Sequence, residues 1–450
     1  QLGARVIVIE SQALGGVCLN WGCIPSKALL GVVELGDKVK KSGAMGLCVS
    51  GPVTYDLAQM VARKNQVVTG LVKGIGTLFK AWNIDYVEGR GVLRDRQHLH
   101  VALTAGGERS VTADSIIIAT GSSWPNLPQF PIDGRQILTS QQLLDLTVIP
   151  RRLLIIGGGV EGCEFAALFS GLGTDVTIVE LMERILPMED EEVSSTMTRE
   201  LKKRSVTVIT GTTVDRLVRE TATVAAQLKD GQTIETDVVL VSVGRGLNSG
   251  GIGLEEVGIR TGRRGEILVN EQMETSVPGV YAIGDVTGKA MLAHVASTQG
   301  KVAVEHILGH QTSMKYDVVP AGIFTLPEIG RVGLTEAQAR EQHESKGDAP
   351  SGLKIGRFRY TALGKAQATG ETTGFCKVIA DAASGKILGV HIIGAHAADL
   401  IHEAALAMQL GATVSQVADM IHAHPTLAEA MMEAAEDAED KAIHQLKKKI

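Results

Sequence analysis

Two cysteines near the start of the sequence could carry redox chemistry. Cys18 and Cys23 lie in GGVCLNWGCIPSK with four residues between them. A disulfide needs Cα atoms about 4.4–6.8 Å apart, which one helical turn distorted by Gly22 and Pro25 can provide. So short a loop gains little from chain entropy, which makes a structural staple a poor explanation, and no further ligands for zinc lie nearby. The pattern favours a pair that opens and closes during a reaction.

A histidine far along the chain could supply the base that thiol chemistry needs. His424 in HAHPTLAEA precedes Pro425, which restricts it to extended geometry, and Glu429 follows five residues on. A carboxylate on the far ring nitrogen would fix the tautomer and stabilise the imidazolium. A histidine on a surface turn is the alternative, and His422 leaves a metal-binding HxH pattern open. The other histidines of this region are interpreted as structural or solvated: His391, His396 and His402.

Residues 153–180 predict a strand–helix–strand unit that binds a dinucleotide. An apolar strand runs into Gly157-x-Gly159-x-x-Gly162, and a helix-like stretch follows. The glycines permit a tight turn and let backbone N–H groups at the helix N-terminus meet a pyrophosphate. The second strand ends in Glu180, which can bind the ribose hydroxyls and would repel a 2′-phosphate. The unit therefore predicts NAD rather than NADP.

The second half of this unit occurs twice in the chain. QLGARVIVIE at 1–10 repeats GLGTDVTIVE at 171–180, so Glu10 matches the ribose-binding acid Glu180. By the same alignment, the phosphate loop of the first copy is expected upstream of residue 1. Two dinucleotide folds in one chain predict two cofactors, one of which reduces the other.

Composition narrows the possible classes of protein. The 450 residues carry a net charge of −6 without a long basic run, which argues against nucleic-acid binding. Gly or charge interrupts every apolar stretch before about 18 residues, so we expect no membrane span. Abundant Gly and scarce aromatics favour α/β architecture. Five cysteines are an odd count for an extracellular disulfide framework, and Cys48, Cys163 and Cys376 are expected to be ordinary small residues, buried or half-buried.

Further segments outline the rest of the organisation. ADSIIIATGSSWP at 113–125 predicts a buried strand and a crossover, and TDVVLVSVGR at 236–245 repeats the strand-then-Gly pattern. ETSVPGVYAIGDV ends a strand near Asp285, where cofactors bind in open α/β sheets. From about residue 317, strand-like segments precede helix-like ones without a nucleotide signature, which indicates an α+β domain.

Taken in order, the motifs resemble those of the flavoprotein disulfide reductases, class I of the pyridine nucleotide-disulfide oxidoreductase family. The segments that carry the resemblance span nearly the whole chain: GGVCLNWGCIPSKALL, IIIATGS, GGGVEGCE, VSVGR, YAIGDV, MLAH and HAHPTLAE. The CLNxGCIPSK wording is closest to the members that oxidise dihydrolipoamide. The resemblance implies two Rossmann-like domains, for FAD (1–124) and NAD (125–246), a central domain completing the FAD site (247–316) and an α+β dimerisation domain (317–450).

The resemblance also implies the reaction and the partners. Dihydrolipoamide, deprotonated by His424, would attack Cys18, and Cys23 would leave as a thiolate against the flavin, which passes hydride to NAD⁺. The enzyme would be a homodimer in the cytoplasm, or in the mitochondrial matrix of a eukaryote. Its protein partners would be the lipoyl and peripheral binding domains of a 2-oxo acid dehydrogenase acyltransferase, or the lipoyl protein of glycine cleavage.

Cofactor contacts carry over by motif, with two departures, of which the first is the phosphate loop of the first copy, expected upstream of residue 1. The implied FAD contacts are Glu10, Gly15, Gly16, Cys18, Lys27, Gly91, Thr120, Gly121, Ser122, Asp285, Met291, Leu292, Ala293 and His294. The implied NAD contacts are Gly157, Gly158, Gly159, Val160, Gly162, Glu164, Glu180, Val214 and Gly244. Lys27 and Glu164 form an ion pair in the family. Glu161 departs from the pattern, because the family has an apolar residue there, beside the expected nicotinamide pocket.

Three other functions stay open at the level of sequence. A related NAD-linked reductase could act on another disulfide or on a metal ion, which assays with glutathione disulfide and Hg²⁺ would separate. The chain could serve as an assembly component that binds an acyltransferase, or as a form without flavin. A yellow protein that turns red on partial reduction would exclude the last.

Overall fold

The computed structural model describes residues 2–345 and 352–445. The strands are β1 (Ile7–Glu10), β2 (Asp85–Leu93), β3 (His98–Leu103), β4 (Glu108–Thr112), β5 (Ile116–Ile118), β6 (Ser122–Ser123), β7 (Ile137–Leu138), β8 (Arg152–Ile156), β9 (Asp175–Val179), β10 (Thr207–Ile209), β11 (Val214–Arg219), β12 (Val224–Leu228), β13 (Thr233–Thr236), β14 (Val238–Val241), β15 (Gly246–Leu247), β16 (Val280–Ala282), β17 (Ala321–Ile323), β18 (Glu328–Gly333), β19 (Leu353–Arg359), β20 (Phe375–Asp381) and β21 (Ile387–Gly394). The helices are α1 (Gly16–Trp21), α2 (Cys23–Lys41), α3 (Leu57–Ala81), α4 (Ser140–Leu143), α5 (Val160–Gly171), α6 (Glu191–Lys203), α7 (Leu254–Val257), α8 (Ala293–Ile307), α9 (Glu336–Ser345), α10 (Gly364–Thr369), α11 (Ala397–Gln409), α12 (Val414–Ala418) and α13 (Glu429–Ala438).

The predicted strand–helix–strand unit forms a five-stranded parallel sheet in the order β10-β9-β8-β14-β7. The inner strands β8 and β14 are almost entirely buried apolar runs, as parallel strands covered on both faces must be. Helix α5 follows β8 directly, so its N-terminus lies at the carboxyl edge of the sheet. A small antiparallel sheet, β11-β12-β13, lies between β10 and β14 in the chain.

The first nucleotide unit is spread over two sheets. Strand β1 pairs in parallel with β2, which continues into an antiparallel ladder with β3 and β4, while β5 pairs in parallel with β16. In the second unit, β8 joins β9 to β14. Within the described ranges no strand joins β1 to β5 in the same way.

The C-terminal part of the chain is an antiparallel sheet in the order β17-β18-β21-β20-β19, which packs against α11 and α13. Strands β20 and β21 are buried along almost their whole length. The α+β texture expected beyond residue 317 is therefore observed. The predicted domain boundaries stay a prediction, and the end of the last domain, 446–450, lies outside the described residues.

Helix α2 belongs to a long, apolar helical run near the N-terminus. The run Gly16–Met45 is long and apolar enough, by length and composition alone, to cross a membrane. Gly22, Lys27 and Glu34 lie within the run, so Gly or charge interrupts it as the sequence indicates. Leu29, Leu30 and Val33 are nevertheless buried in the core that α2 shares with α3 and α5. At Gly171, the last residue of α5, an added Cβ would overlap Val33. The two helices therefore approach closely.

A buried charge cluster joins the parallel sheet unit to the C-terminal sheet. Lys377 on β20 is 2% exposed, and its Nζ lies 2.9 Å from Asp190 Oδ1 and 2.8 Å from both Glu192 Oε1 and Glu336 Oε2. Arg357 pairs with Glu192 and Glu336 as well. Burial alone would raise the pKa of the three carboxyl groups, but the two cations outweigh it and hold each pKa below its ordinary value. The carboxylates in turn raise the pKa of Lys377 against the effect of burial.

We predict that Lys377→Met lowers the free energy of unfolding by about 3–5 kcal/mol, because it leaves the Asp190 carboxylate buried and uncompensated. Urea unfolding followed by circular dichroism measures the effect. Lys354→Met is the matched control, since Lys354 is 35% exposed against 2% for Lys377, and its pair with Glu439 contributes only about 1 kcal/mol. Since the folded carboxyl pKa values are depressed, the wild-type stabilisation is complete above about pH 4.5 and is lost as pH falls. Equal losses in the two variants would contradict the role of the cluster.

Candidate active site

The cysteine pair lies where two helices meet. Helix α1 ends at Trp21, Gly22 takes a non-helical conformation, and α2 begins at Cys23. Cys18 and Cys23 form a disulfide with Cα atoms 4.8 Å apart, as the spacing predicts. A Cβ at Gly22 would lie only 3.1 Å from the Val17 carbonyl oxygen, so glycine lets the chain fold back. Cys18 is half-buried and Cys23 is exposed, so an incoming thiol can reach the pair from solvent.

The surroundings of Cys23 favour a thiolate once the disulfide opens. Cys23 is the first residue of α2, where the helix N-terminus stabilises negative charge. Lys27 follows one turn later on the same face, and its Nζ lies 2.9 and 2.8 Å from the two carboxyl oxygens of Glu164 on α5. The Phe324 backbone N–H donates to the same carboxylate at 2.9 Å, and the ammonium lies 4.3 Å from the centre of the Phe324 ring. The ion pair expected from the sequence is therefore formed.

His424 and Glu429 form the predicted acid–base pair. His424 Nδ1 lies 2.8 Å from Glu429 Oε1, and the Thr426 N–H donates to Oε2 at 2.8 Å. Burial would raise the pKa of Glu429, but the Thr426 N–H and His424 lower it below its usual range. An ionised Glu429 accepts the Nδ1 proton, which leaves Nε2 as the basic nitrogen. The imidazole is 75% exposed, and within the described ranges no hydrogen bond links it to the cysteine pair.

His422 does not combine with His424 as a metal site. Its Nε2 lies 2.8 Å from Glu403 Oε1 and its Nδ1 3.0 Å from the Met420 carbonyl oxygen, so both ring nitrogens are engaged. Glu403 lies on a separate element, α11, so the sequence pattern did not indicate it as a partner. In the part of the chain that the structure describes, no group of three or more His, Cys, Asp or Glu side chains could hold a metal ion.

The glycines of the second unit divide into two kinds. Gly157 has φ +107°, and a Cβ there would overlap the Ser242 carbonyl oxygen; a Cβ at Gly162 would overlap the Gly157 carbonyl oxygen. These two positions need glycine to form the turn. A Cβ at Gly159 would meet nothing within 4 Å, because it would point into open space before the N-terminus of α5. That space and its free N–H groups fit a pyrophosphate.

Glu180 closes the site on the side of β9. Its carboxyl oxygens accept from the Gly158 N–H at 2.6 Å and the Met182 N–H at 2.8 Å, which holds the phosphate loop against the acid. Gly244 has φ +105° after β14, and its Cβ position is open. Val214 is buried in the core, so only its backbone is free to contact a ligand.

The predicted flavin contacts fit an extended nucleotide. Gly15 and Gly16 have successive positive φ values where α1 begins, so their N–H groups form a concavity suited to an anion. Ser122 Oγ donates to Asp285 Oδ2 at 2.5 Å and receives the Arg245 Nε–H at 2.7 Å. Arg245 was not among the predicted contacts, although it ends the VSVGR motif. Many of the remaining positions are exposed along one edge: Gly15, Gly16, Thr120, Met291, Ala293 and His294.

The last two predicted FAD contacts lie on or next to regular secondary structure. Gly91 lies on β2, and Leu292 precedes α8. Cys163 and Cys376 are fully buried, and burial raises the pKa of both thiols, which keeps them protonated. Cys48 is exposed, so the expectation that it is buried or half-buried is wrong.

We predict that alanine substitutions at the two kinds of glycine have different effects, one on thermal stability and the other on NAD⁺ binding. Gly162→Ala lowers the melting temperature because of the clash with Gly157, whereas Gly159→Ala leaves it unchanged but weakens NAD⁺ binding about tenfold or more by filling the open space. Calorimetric titration and thermal unfolding measure the two effects. Gly74→Ala on the exposed face of α3 is the control, and should alter neither binding nor the turn. Unchanged NAD⁺ affinity in Gly159→Ala would contradict the assignment.

Comparisons with known proteins agree along the whole chain. Residues 1–300 match the family model described as "Pyridine nucleotide-disulphide oxidoreductase", and residues 319–435 match the model of its dimerisation domain. Proteins named dihydrolipoyl dehydrogenase from Bacillus subtilis and Chlamydia pneumoniae are 41% and 40% identical, over 99% and 98% of this chain and 95% and 93% of theirs. The mitochondrial dihydrolipoyl dehydrogenase 1 of Arabidopsis thaliana is 39% identical over 99% of this chain and 87% of its own length.

Solved structures show the same fold. The crystal structure of LpdA from Mycobacterium tuberculosis superposes with a TM-score of 0.88 at 29% identity, covering 96% of this chain and 93% of that one. The HOCl-induced flavoprotein disulfide reductase RclA from Escherichia coli superposes with a TM-score of 0.84 at 26% identity, covering 96% and 94%. The predicted fold class and family resemblance are confirmed. The chain belongs to the pyridine nucleotide-disulphide oxidoreductase family.

Proposed function

We propose that this chain oxidises protein-bound dihydrolipoamide to lipoamide and reduces NAD⁺, using the Cys18–Cys23 disulfide and FAD. The observation that carries the proposal is the connection between the disulfide and the dinucleotide loop. Cys23 begins α2, Lys27 on the same helix pairs with Glu164, and Glu164 lies in the second turn of the helix that begins at the phosphate loop. Relatives about 40% identical over nearly the whole chain are named dihydrolipoyl dehydrogenase, which agrees with this chemistry.

Two cofactors fit the residues present. NAD would contact the loop from Gly157 to Gly162 and Glu180, and FAD would contact Glu10, the Gly15–Gly16 concavity and Asp285. When bound, the flavin supplies two-electron transfer between a dithiol and a nicotinamide. The Lys27 ammonium is held in place by Glu164 and provides a fixed positive charge close to the disulfide, at the flavin site.

The thiol–disulfide step follows from the side chains of the chain itself. A substrate thiol has a pKa near about 8.5 or above, so a base must remove its proton before attack. Nε2 of His424 takes that proton, and the resulting thiolate attacks Cys18 Sγ, breaks the disulfide and expels Cys23 as a thiolate. The second substrate thiol then attacks the mixed disulfide, closes the lipoyl disulfide and releases Cys18, whose departing sulfur takes up the proton that this thiol loses. One dithiol is oxidised and one enzyme disulfide is reduced.

The assembly completes the proposal. Because the chain carries the family's dimerisation domain, the active form is a homodimer in which His424 of one subunit serves the disulfide of the other. The protein partners are a lipoyl domain, with the peripheral binding domain of a 2-oxo acid dehydrogenase acyltransferase, or the lipoyl protein of glycine cleavage. The location is the cytoplasm, or the mitochondrial matrix of a eukaryote, and two plant relatives carry the word mitochondrial in their names.

We predict that His424→Ala lowers lipoamide-dependent turnover by about 10²–10⁴-fold, because the substrate thiol loses its base. Oxidation of NADH by a dye, which needs no thiol deprotonation, should stay within about twofold of wild type by the same reasoning. His98→Ala is a matched control, since His98 also pairs with a carboxylate, Asp95, at 2.8 Å and is exposed, but lies on β3. Parallel loss of both activities in His424→Ala would exclude its role as the base.

We predict that Cys18→Ser and Cys23→Ser each abolish lipoyl oxidation, because the first removes the sulfur that is attacked and the second removes the leaving thiolate. Cys48→Ser, which changes an exposed free cysteine, should retain full activity. Assays with dihydrolipoamide and NAD⁺ measure both, and assays with glutathione disulfide test the alternative disulfide substrate. Retained dihydrolipoamide oxidation in either serine variant would overturn the proposed function.

A further inference from the structure

A carboxylate lies at the mouth of the parallel sheet, and one residue next to it in the chain and one next to its hydrogen-bond partner are exposed and aliphatic. Glu161 is in the first turn of α5, half-buried, and its Oε2 accepts from Ser242 Oγ at 3.2 Å. Val160, which precedes Glu161, is 46% exposed and Val243, which follows Ser242, is 39% exposed, although the strands before them are buried. A flat apolar ligand group bound here would meet two aliphatic side chains and one negative charge.

The position of this patch relative to Glu180 indicates which part of a dinucleotide it meets. Strand β8 lies between β9, which is followed by Glu180, and β14, which is followed by Ser242. A dinucleotide with its pyrophosphate before Gly159 and one ribose on Glu180 crosses the end of β8, so its other half lies over the end of β14. Glu161 is on that side, because it bonds to Ser242. If Glu180 holds the adenosine half, Glu161 faces the nicotinamide half.

The Arg245 guanidinium interacts electrostatically with Glu161 but makes its hydrogen bonds elsewhere. The Arg245 guanidinium donates to the Ser122 hydroxyl and carbonyl at 2.7 and 2.8 Å and lies 4.7 Å from the centre of the Trp124 ring. Within residues 2–345 and 352–445, Glu161 forms no ion pair. Its carboxylate therefore acts on whatever occupies the patch.

Oxidised and reduced nicotinamide dinucleotides differ by one positive charge, which is on the ring. Their pyrophosphates are identical, so repulsion between Glu161 and the phosphates affects both equally. A carboxylate close to the ring attracts the cationic form alone. We propose that Glu161 is a specificity residue that favours NAD⁺ over NADH at this site. The inference rests on the proposed function and adds that the site is biased toward binding the oxidant and releasing the reduced product.

Binding of the two nucleotides to the purified full-length protein tests the proposal. Dissociation constants for NAD⁺ and NADH are measured by calorimetric titration in wild type, Glu161→Gln and Glu191→Gln, at about 0.01 M and 0.15 M salt, where screening lengths are about 30 and 8 Å. Glu191 is the matched control, because it is an exposed acid in the first turn of α6 in the same unit. Both substitutions remove a charge from a helix N-terminus, but only Glu161 faces the patch.

We expect Glu161→Gln to change the preference between NAD⁺ and NADH rather than the affinity for both nucleotides. The ratio of the NADH to the NAD⁺ dissociation constant should fall about fivefold in Glu161→Gln, less at the higher salt, and stay at the wild-type value in Glu191→Gln. An unchanged ratio of dissociation constants in Glu161→Gln, or equal weakening of the binding of both nucleotides, overturns the specificity role. If wild type binds NAD⁺ in that case, the proposed function still stands. Wild-type protein that binds neither nucleotide overturns both.

Discussion

The contact between Lys27 and Glu164 is the constraint on which the candidate active site depends. It joins the helix that begins at Cys23 to the helix that begins at the phosphate loop. Glu164 is only 8% exposed, and it is satisfied by two contacts to Lys27 and by the Phe324 N–H. A buried carboxylate with this number of partners has one favourable position. The ion pair therefore fixes the register of the redox pair against the dinucleotide site.

Close packing around this contact makes the register rigid. Gly171 lets α5 lie against Val33 of α2, where any side chain would overlap, so the two helices cannot slide apart or rotate without exposing apolar surface. At the other end of the same unit, Lys377 ties the loop before α6 to the C-terminal sheet through Asp190. The dinucleotide unit is thus held on one side by the disulfide helix and on the other by the sheet next to the His424 segment.

The parts of the site that depend on local sequence were predictable, and the parts that depend on distant contacts were not. The Cys18–Cys23 disulfide, the turn glycines and the His424–Glu429 pair each lie within a few residues, so spacing and residue type determine them. The Lys27–Glu164 contact was expected only from the family resemblance. Arg245 and its hydrogen bond to Ser122, like the Glu403 contact of His422, join residues from separate elements, which no periodicity reveals. The surface location of Cys48 was also misjudged, because composition does not show which side of a segment packs against the core.

A single chain supplies both halves of the thiol chemistry without enclosing either. Cys23 is exposed at the start of α2, and the imidazole of His424 is 75% exposed although Glu429 beneath it is largely buried. A thiolate and a general base work best where water is excluded, because water competes for the proton and weakens the charge interactions. In the described part of the chain, apolar side chains do not shield either group from water, although each group lies on well-packed backbone. Under the proposed function, the dimerisation domain that contains His424 would have a chemical as well as a structural role, since contact with a second copy would bring the base over the disulfide and close the site to solvent.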